Sequence, residues 1–206
     1  MMSHVTTMVP VLELPVAHCP FWPAELGVRY LVVPRAPSAG QVGAAAWALV
    51  AWAATDDRGT VVATNAAEAV ELCLASGEQG EFAAGGLRVG TGDLVLDPGC
   101  CFGLDEWRAW VDIAAGGTAD LGHDPGLLVE HLGEVVRLTE VDDDDEPAGR
   151  VVELPRAELR ELLHEVRSDL LGFLDALGEW ARRTVPAQAD RFVAAVDRRL
   201  AISPAF

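Results

Sequence analysis

The chain has 206 residues, half of them hydrophobic, and carries 32 acidic against 15 basic side chains, a formal net charge of −17. That length suits one domain, or one domain with an appendage, and the apolar content is ample for a core, which excludes disorder as a description of the whole. All the basic residues are arginine, and without lysine neither Schiff-base nor P-loop chemistry is available.

In chain order, residues 1–26 are interrupted by Pro10, Pro15, Pro20 and Pro23, which leaves room only for a short edge strand from Val11 to Leu14. Gly27 to Val33 reads as a strand closed by Pro34. The apolar run from Val42 to Ala54 is ambiguous. Its alanine content and length favour a helix, while alternation around Trp47 and Leu49 favours a strand; helix is the expectation. Thr60 to Ala63 reads as a short strand. Thr64 or Asn65 then caps a helix over Ala66 to Ala75, with Glu68 in its first turn. Leu87-Arg88-Val89 and Leu94-Val95-Leu96 flank Gly90-Thr91-Gly92-Asp93 as a hairpin.

Leu104 to Ala114 reads as a helix ended by Gly116-Gly117. Leu127 to Glu140 reads as a second hairpin turning at Gly133, followed by an acidic loop from Asp142 to Gly149 and a strand from Arg150 to Leu154. Pro155 suits the first turn of the last helical region. There Leu159, Leu163, Val166, Leu170, Phe173, Leu177 and Trp180 recur at alternating four- and three-residue spacing, with Leu162 and Leu174 widening the stripe. A helix of about 25 residues, roughly 37 Å long, is implied. The sequence RTVP breaks it, and a second helix follows from Ala187 to Leu200, making an αα-hairpin. The expected fold is α+β: a mainly antiparallel sheet with the C-terminal αα-hairpin packed on one face. Residues 1–206 are read as a single domain, with an acidic sheet-and-helix part over 1–150 and a strand plus helical hairpin over 151–206.

The charge is unevenly placed. Residues 151–206 hold nine acidic and eight basic side chains, whereas residues 1–150 hold 23 and seven, a net of −16. Such a surface repels phosphate backbones and speeds encounter with a basic partner. The arginine bias points to a GC-rich bacterial genome. The first twenty residues lack a basic segment followed by an apolar core, and no apolar run reaches the roughly 20 residues of a membrane span. The expected location is the cytoplasm, with Cys19, Cys73, Cys100 and Cys101 reduced.

The most unusual stretch is DPGCCFGLDEWRAW, from Asp97 to Trp110. A thiol at a helix N-terminus is acidified by the helix dipole, but Asp105 and Glu106 oppose that effect here. A catalytic cysteine also needs a base, and nothing in the sequence places His18, His123 or His131 beside the pair. Structural cysteines filling a tight turn beside Phe102 are therefore expected, with Trp107 and Trp110 as core anchors on one helix face. CxxC, HxH and HExxH are absent; a Cys₃His set assembled from His18, Cys19, Cys100 and Cys101 is the metal arrangement the composition allows. The run EVDDDDEPAG lacks the spacing of a calcium loop. GxSxG is missing, and the glycines of GGLRVGTG read as hairpin turns. No catalytic, cofactor-binding or metal-binding residue is assigned, and no cofactor is expected.

The resulting expectation is a non-catalytic cytoplasmic interaction protein, immunity- or antitoxin-like, that binds a basic protein partner and neither nucleic acid nor membrane. The alternatives are a thiol- or metal-dependent enzyme centred on Cys100 and Cys101, and a structural homo-oligomer, such as a homodimer joined through residues 156–200.

Overall fold

The computed structural model describes residues 5–77, 83–142 and 146–206. The strands form two antiparallel sheets. The first has the order β2-β1-β3-β4, from β1 (Thr6–Glu13), β2 (Tyr30–Val32), β3 (Gly85–Thr91) and β4 (Leu94–Leu96). The second is a meander of β5 (Gly126–Leu132), β6 (Val135–Val141) and β7 (Pro147–Pro155). The fold is α+β, with both predicted hairpins present as β3-β4 and β5-β6.

The edge strand expected from Val11 to Leu14 is instead an eight-residue interior strand, paired on both sides. Pro10 misled the reading because proline is normally confined to edges. It is tolerated here for a local reason. The N–H and C=O of one residue in an antiparallel ladder face the same neighbour. The Pro10 carbonyl accepts from Val33 N–H at 2.9 Å, just past the end of the short β2. Its missing N–H therefore faces a place where pairing has already stopped. Two smaller differences follow from turn chemistry. Thr60 to Ala63 is no strand, because Asp56 Oδ1 accepts from the N–H groups of Arg58 and Thr60 and closes a tight turn, leaving only a bridge between Thr55 and Val61. The acidic loop is shorter than expected. Asp142 N–H donates to the Glu146 carbonyl and β7 begins at Pro147; residues 143–145 lie outside the described residues.

Helix α1 (Ala39–Ala54) starts three residues before the predicted point, at a capping box. Ser38 Oγ accepts from Gln41 N–H at 3.1 Å, and Gln41 Oε1 accepts from Ser38 N–H at 2.8 Å. It is buried on nearly every side, which is why its sequence showed no clear periodicity. Helix α2 (Ala66–Ala75) is capped by Asn65, while Thr64 binds the Glu68 carboxylate. The helix expected over Leu104 to Ala114 is divided into a 3₁₀ turn (Leu104–Glu106) and α3 (Ala109–Ala115), linked by i→i+3 bonds from Trp107 to Leu104 and from Trp110 to Trp107.

Helix α4 (Arg156–Thr184) has 29 residues, longer than expected, and α5 (Ala189–Arg199) follows after Pro186. The seven residues of the predicted stripe, from Leu159 to Trp180, are buried together with Leu162, and Leu174 at its margin is partly buried. The helix packs on α5, α1 and α3, and reaches both sheets through β1 and β7. The stripe is thus covered within the chain. One cluster of buried residues runs through both sheets and all five helices. Within it Trp22 meets both Trp47 and Trp180 edge-to-face, and the indoles of Trp22 and Trp47 donate to the carbonyls of Gly43 and Ala17. Arg150 ties the sheets together, binding Glu140 on β6 and the Val95 carbonyl on β4. No helix among the described residues is long and apolar enough to cross a membrane.

Candidate functional site

Past β4, the chain runs from Asp97 to Cys101 along the end of the first sheet. Asp97 pairs with Arg88 at 2.6 Å, and Tyr30 donates its hydroxyl proton to the Pro98 carbonyl at 3.3 Å. Cys100 is then bound through its backbone to His123, which lies just before β5. Each residue donates its N–H to the other's carbonyl. Glycine permits this approach on both sides. A Cβ on Gly99 would lie 2.9 Å from His123 N, and one on Gly122 would lie 2.5 Å from the Cys100 carbonyl.

The expectation that Cys100 and Cys101 fill the turn is wrong. Both are exposed free thiols, and Phe102 takes the buried position instead. Their sulfurs are 3.3 Å apart, a thiol hydrogen-bond contact and not a disulfide. Cys101 has φ 63°, the left-handed region that non-glycine residues rarely adopt. Successive side chains of an extended strand point to opposite faces, so this turn of the backbone is what lets two neighbouring thiols converge. The nearest ligand atoms of Cys100, Cys101 and His123 all lie within 4.8 Å of one another. The imidazole adjoins a cleft of about 360 Å³ lined also by Asp120, Leu128 and Asp142.

The electrostatics work against a reactive thiolate. Hydrogen bonding to Cys101 pushes the Cys100 thiol above its ordinary pKa, with the negative charges of Asp124 and Glu13 adding to the effect. Among the described residues, His123 makes no side-chain hydrogen bond to either thiol. The remaining residues considered from sequence do not join the group. Cys19 is buried, and burial raises its thiol pKa; Cys73 lies against the Leu49 carbonyl. His131 binds the Gly117 carbonyl. The Cys₃His set with His18 and Cys19 is thus replaced by a two-cysteine, one-histidine set. His123 was one of three histidines available from sequence but was not placed beside the pair, because 22 residues separate it from Cys101 and only the glycines at 99 and 122 hint at the close approach.

The tryptophans are likewise redistributed. Trp22, Trp47, Trp107, Trp110 and Trp180 belong to the core, and only Trp52 is exposed, at 40%. It lines an apolar cleft of about 570 Å³ with Leu14, Pro15, Val16 and Ala48, with Glu13 also in the lining.

Exposure makes one outcome measurable at once. Cys100→Ser and Cys101→Ser are expected to change stability by less than about 0.5 kcal/mol, as surface substitutions do. In the native protein both thiols should alkylate well before Cys19, as mass-spectrometric mapping would show. Protection of the pair in reduced, chelator-treated protein, or a loss above about 2 kcal/mol in chemical denaturation, would mean that they pack as core residues. Comparison with family models, curated proteins and solved structures returns no match to this chain.

Proposed function

We propose that this chain is a non-catalytic cytoplasmic protein that binds a basic protein partner, in the manner of an immunity protein or an antitoxin. The observation that carries the reading is the excess of surface acid together with the fate of the arginines. Arg29, Arg35, Arg88, Arg137, Arg150 and Arg191 pair with carboxylates of the same chain. Arg108, Arg156, Arg160, Arg167 and Arg199 bind backbone carbonyls. Most of the positive charge thus serves internal ties, while 32 acids face 15 arginines. The field that remains attracts basic surfaces and accelerates their encounter at low salt. The buried tryptophans lend no support to this reading, and of the six only Trp52 is exposed.

The test is an affinity capture from the source cell at low ionic strength, read by mass spectrometry and repeated at high salt. A basic protein recovered at low salt and released as salt rises supports the proposal. Recovery of no basic protein, or capture insensitive to salt, overturns it. A companion result is expected with nucleic acid: filter binding at low salt should show no saturable retention of DNA or RNA, and micromolar binding there would contradict the charge argument.

One observation favours the alternative of an enzyme centred on Cys100 and Cys101, namely the exposure of both thiols beside His123. Its nucleophilic form is poorly served. A catalytic thiol needs a lowered pKa and a base in hydrogen-bond reach, whereas the Cys100 thiol is pushed upward and the imidazole does not bind it.

A further inference from the structure

We propose that Cys100, Cys101 and His123 form a binding site for one soft divalent metal ion, of which zinc is the natural occupant by donor chemistry. The inference is independent of the partner-binding reading. Two thiolates and an imidazole are the ligand types that zinc prefers over the oxygen ligands of calcium or magnesium. The geometry is close to what such an ion needs. With Zn–S near 2.3 Å, two sulfurs on a tetrahedron lie about 3.8 Å apart. Here they are 3.3 Å apart, and all three donors lie within 4.8 Å of one another, so rotations of exposed side chains would close the site.

Two further observations separate this cluster from a chance meeting of polar side chains. Its two chain segments are locked together by the reciprocal backbone bonds of Cys100 and His123, with glycine at 99 and 122 where any side chain would collide. Three described non-glycine residues have positive φ, and two of them, Cys101 and Asp124, are at this corner. Such conformations persist where the surroundings over-determine them, and they gather at binding sites. On binding, each thiol releases its proton to solvent, so two protons leave per ion. Three protein ligands leave the fourth tetrahedral position to water, and all three side chains are exposed, which describes an exchangeable site and not a closed structural one.

The experiment uses the full chain, reduced with a non-thiol reductant, stripped with a chelator and titrated with Co(II) as a spectroscopic probe. A thiolate-to-cobalt charge-transfer band that saturates at one ion per chain and is abolished by Zn(II) is expected. Cys100→Ser with Cys101→Ser should remove the band, His123→Gln should weaken binding by at least about tenfold, and Cys73→Ala should leave it unchanged. Zn(II) should also protect Cys100 and Cys101 of the unaltered protein from alkylation, a readout that needs no variant. No band in the reduced protein, no protection by Zn(II), or a band that survives in the double cysteine variant overturns the proposal.

Discussion

Leu170→Asp is expected to leave the isolated chain without a native fold. Leu170 has no exposed surface and sits mid-way along α4, flanked on the same buried face by Val166, Phe173 and Leu177. That helix packs on α1, α3, α5 and one strand of each sheet, so a disturbance here reaches nearly every layer. A carboxylate placed there is buried on the apolar face of the helix, and an unpaired buried charge costs several kcal/mol even after the structure relaxes. Domains of this size are stable by only about 5–15 kcal/mol, and the same substitution also removes the packing of a leucine. Near-ultraviolet circular dichroism should be lost, together with a cooperative thermal transition. Leu170→Ala provides the graded comparison: a cost of about 2–5 kcal/mol, with the fold retained and the melting temperature lowered by roughly 4–20 °C. Asp175→Ala, on the exposed side of the same helix, should stay within about 0.5 kcal/mol of the parent. If Leu170→Asp instead remains folded and merely shifts the mass from dimer to monomer in light scattering, the stripe is an interface between copies.

That stripe was the clearest feature of the sequence because a long amphipathic helix repeats its apolar positions many times over. The hairpins were legible for a related reason: Gly92 and Gly133 sit where the turns need positive φ. Helix α1 was harder, since a segment buried all round has no polar face to set its period, and the Ser38–Gln41 capping box was the one signal that could have fixed its start. Strand β1 was misplaced because the tolerance of Pro10 depends on where its neighbour ends, which is tertiary information. The candidate site shows the same division. Adjacent cysteines stand out in any sequence, but their burial was read from the habits of cysteine in general. Their exposure follows from Phe102 taking the inward position, and their partner His123 is supplied by another segment. Chemistry assembled across chain segments leaves no periodic trace, so the donors could be inventoried but not joined.

Trp107→Ala is expected to be among the most destabilising substitutions outside α4, at about 3–5 kcal/mol. Trp107 is fully buried, and its indole N–H donates to the Leu200 carbonyl at 2.7 Å, across 93 residues of sequence. The next residue, Arg108, donates to the Ala201 carbonyl, so two adjacent side chains clamp the end of α5 to the turn that carries Phe102 and the cysteine pair. Phe206 meets the Trp107 ring edge-on with centroids 5.6 Å apart and stacks on His164. Truncation to alanine would open a cavity of nearly a whole indole and leave the Leu200 carbonyl without its donor. Those losses are separable. Trp107→Phe keeps much of the ring volume and removes the N–H, so its cost should be smaller, about 1–3 kcal/mol, much of it the unpaired carbonyl. Denaturation midpoints of the two variants, with the parent denaturant dependence retained, would check the order. The alkylation rates of Cys100 and Cys101 offer a second readout, because the segment that carries them leads directly into the turn that Trp107 closes. Trp107→Ala should alter those rates while Trp107→Phe leaves them near the parent values. A Trp107→Ala protein as stable as the parent, within about 0.5 kcal/mol, would mean that the clamp contributes nothing to the fold.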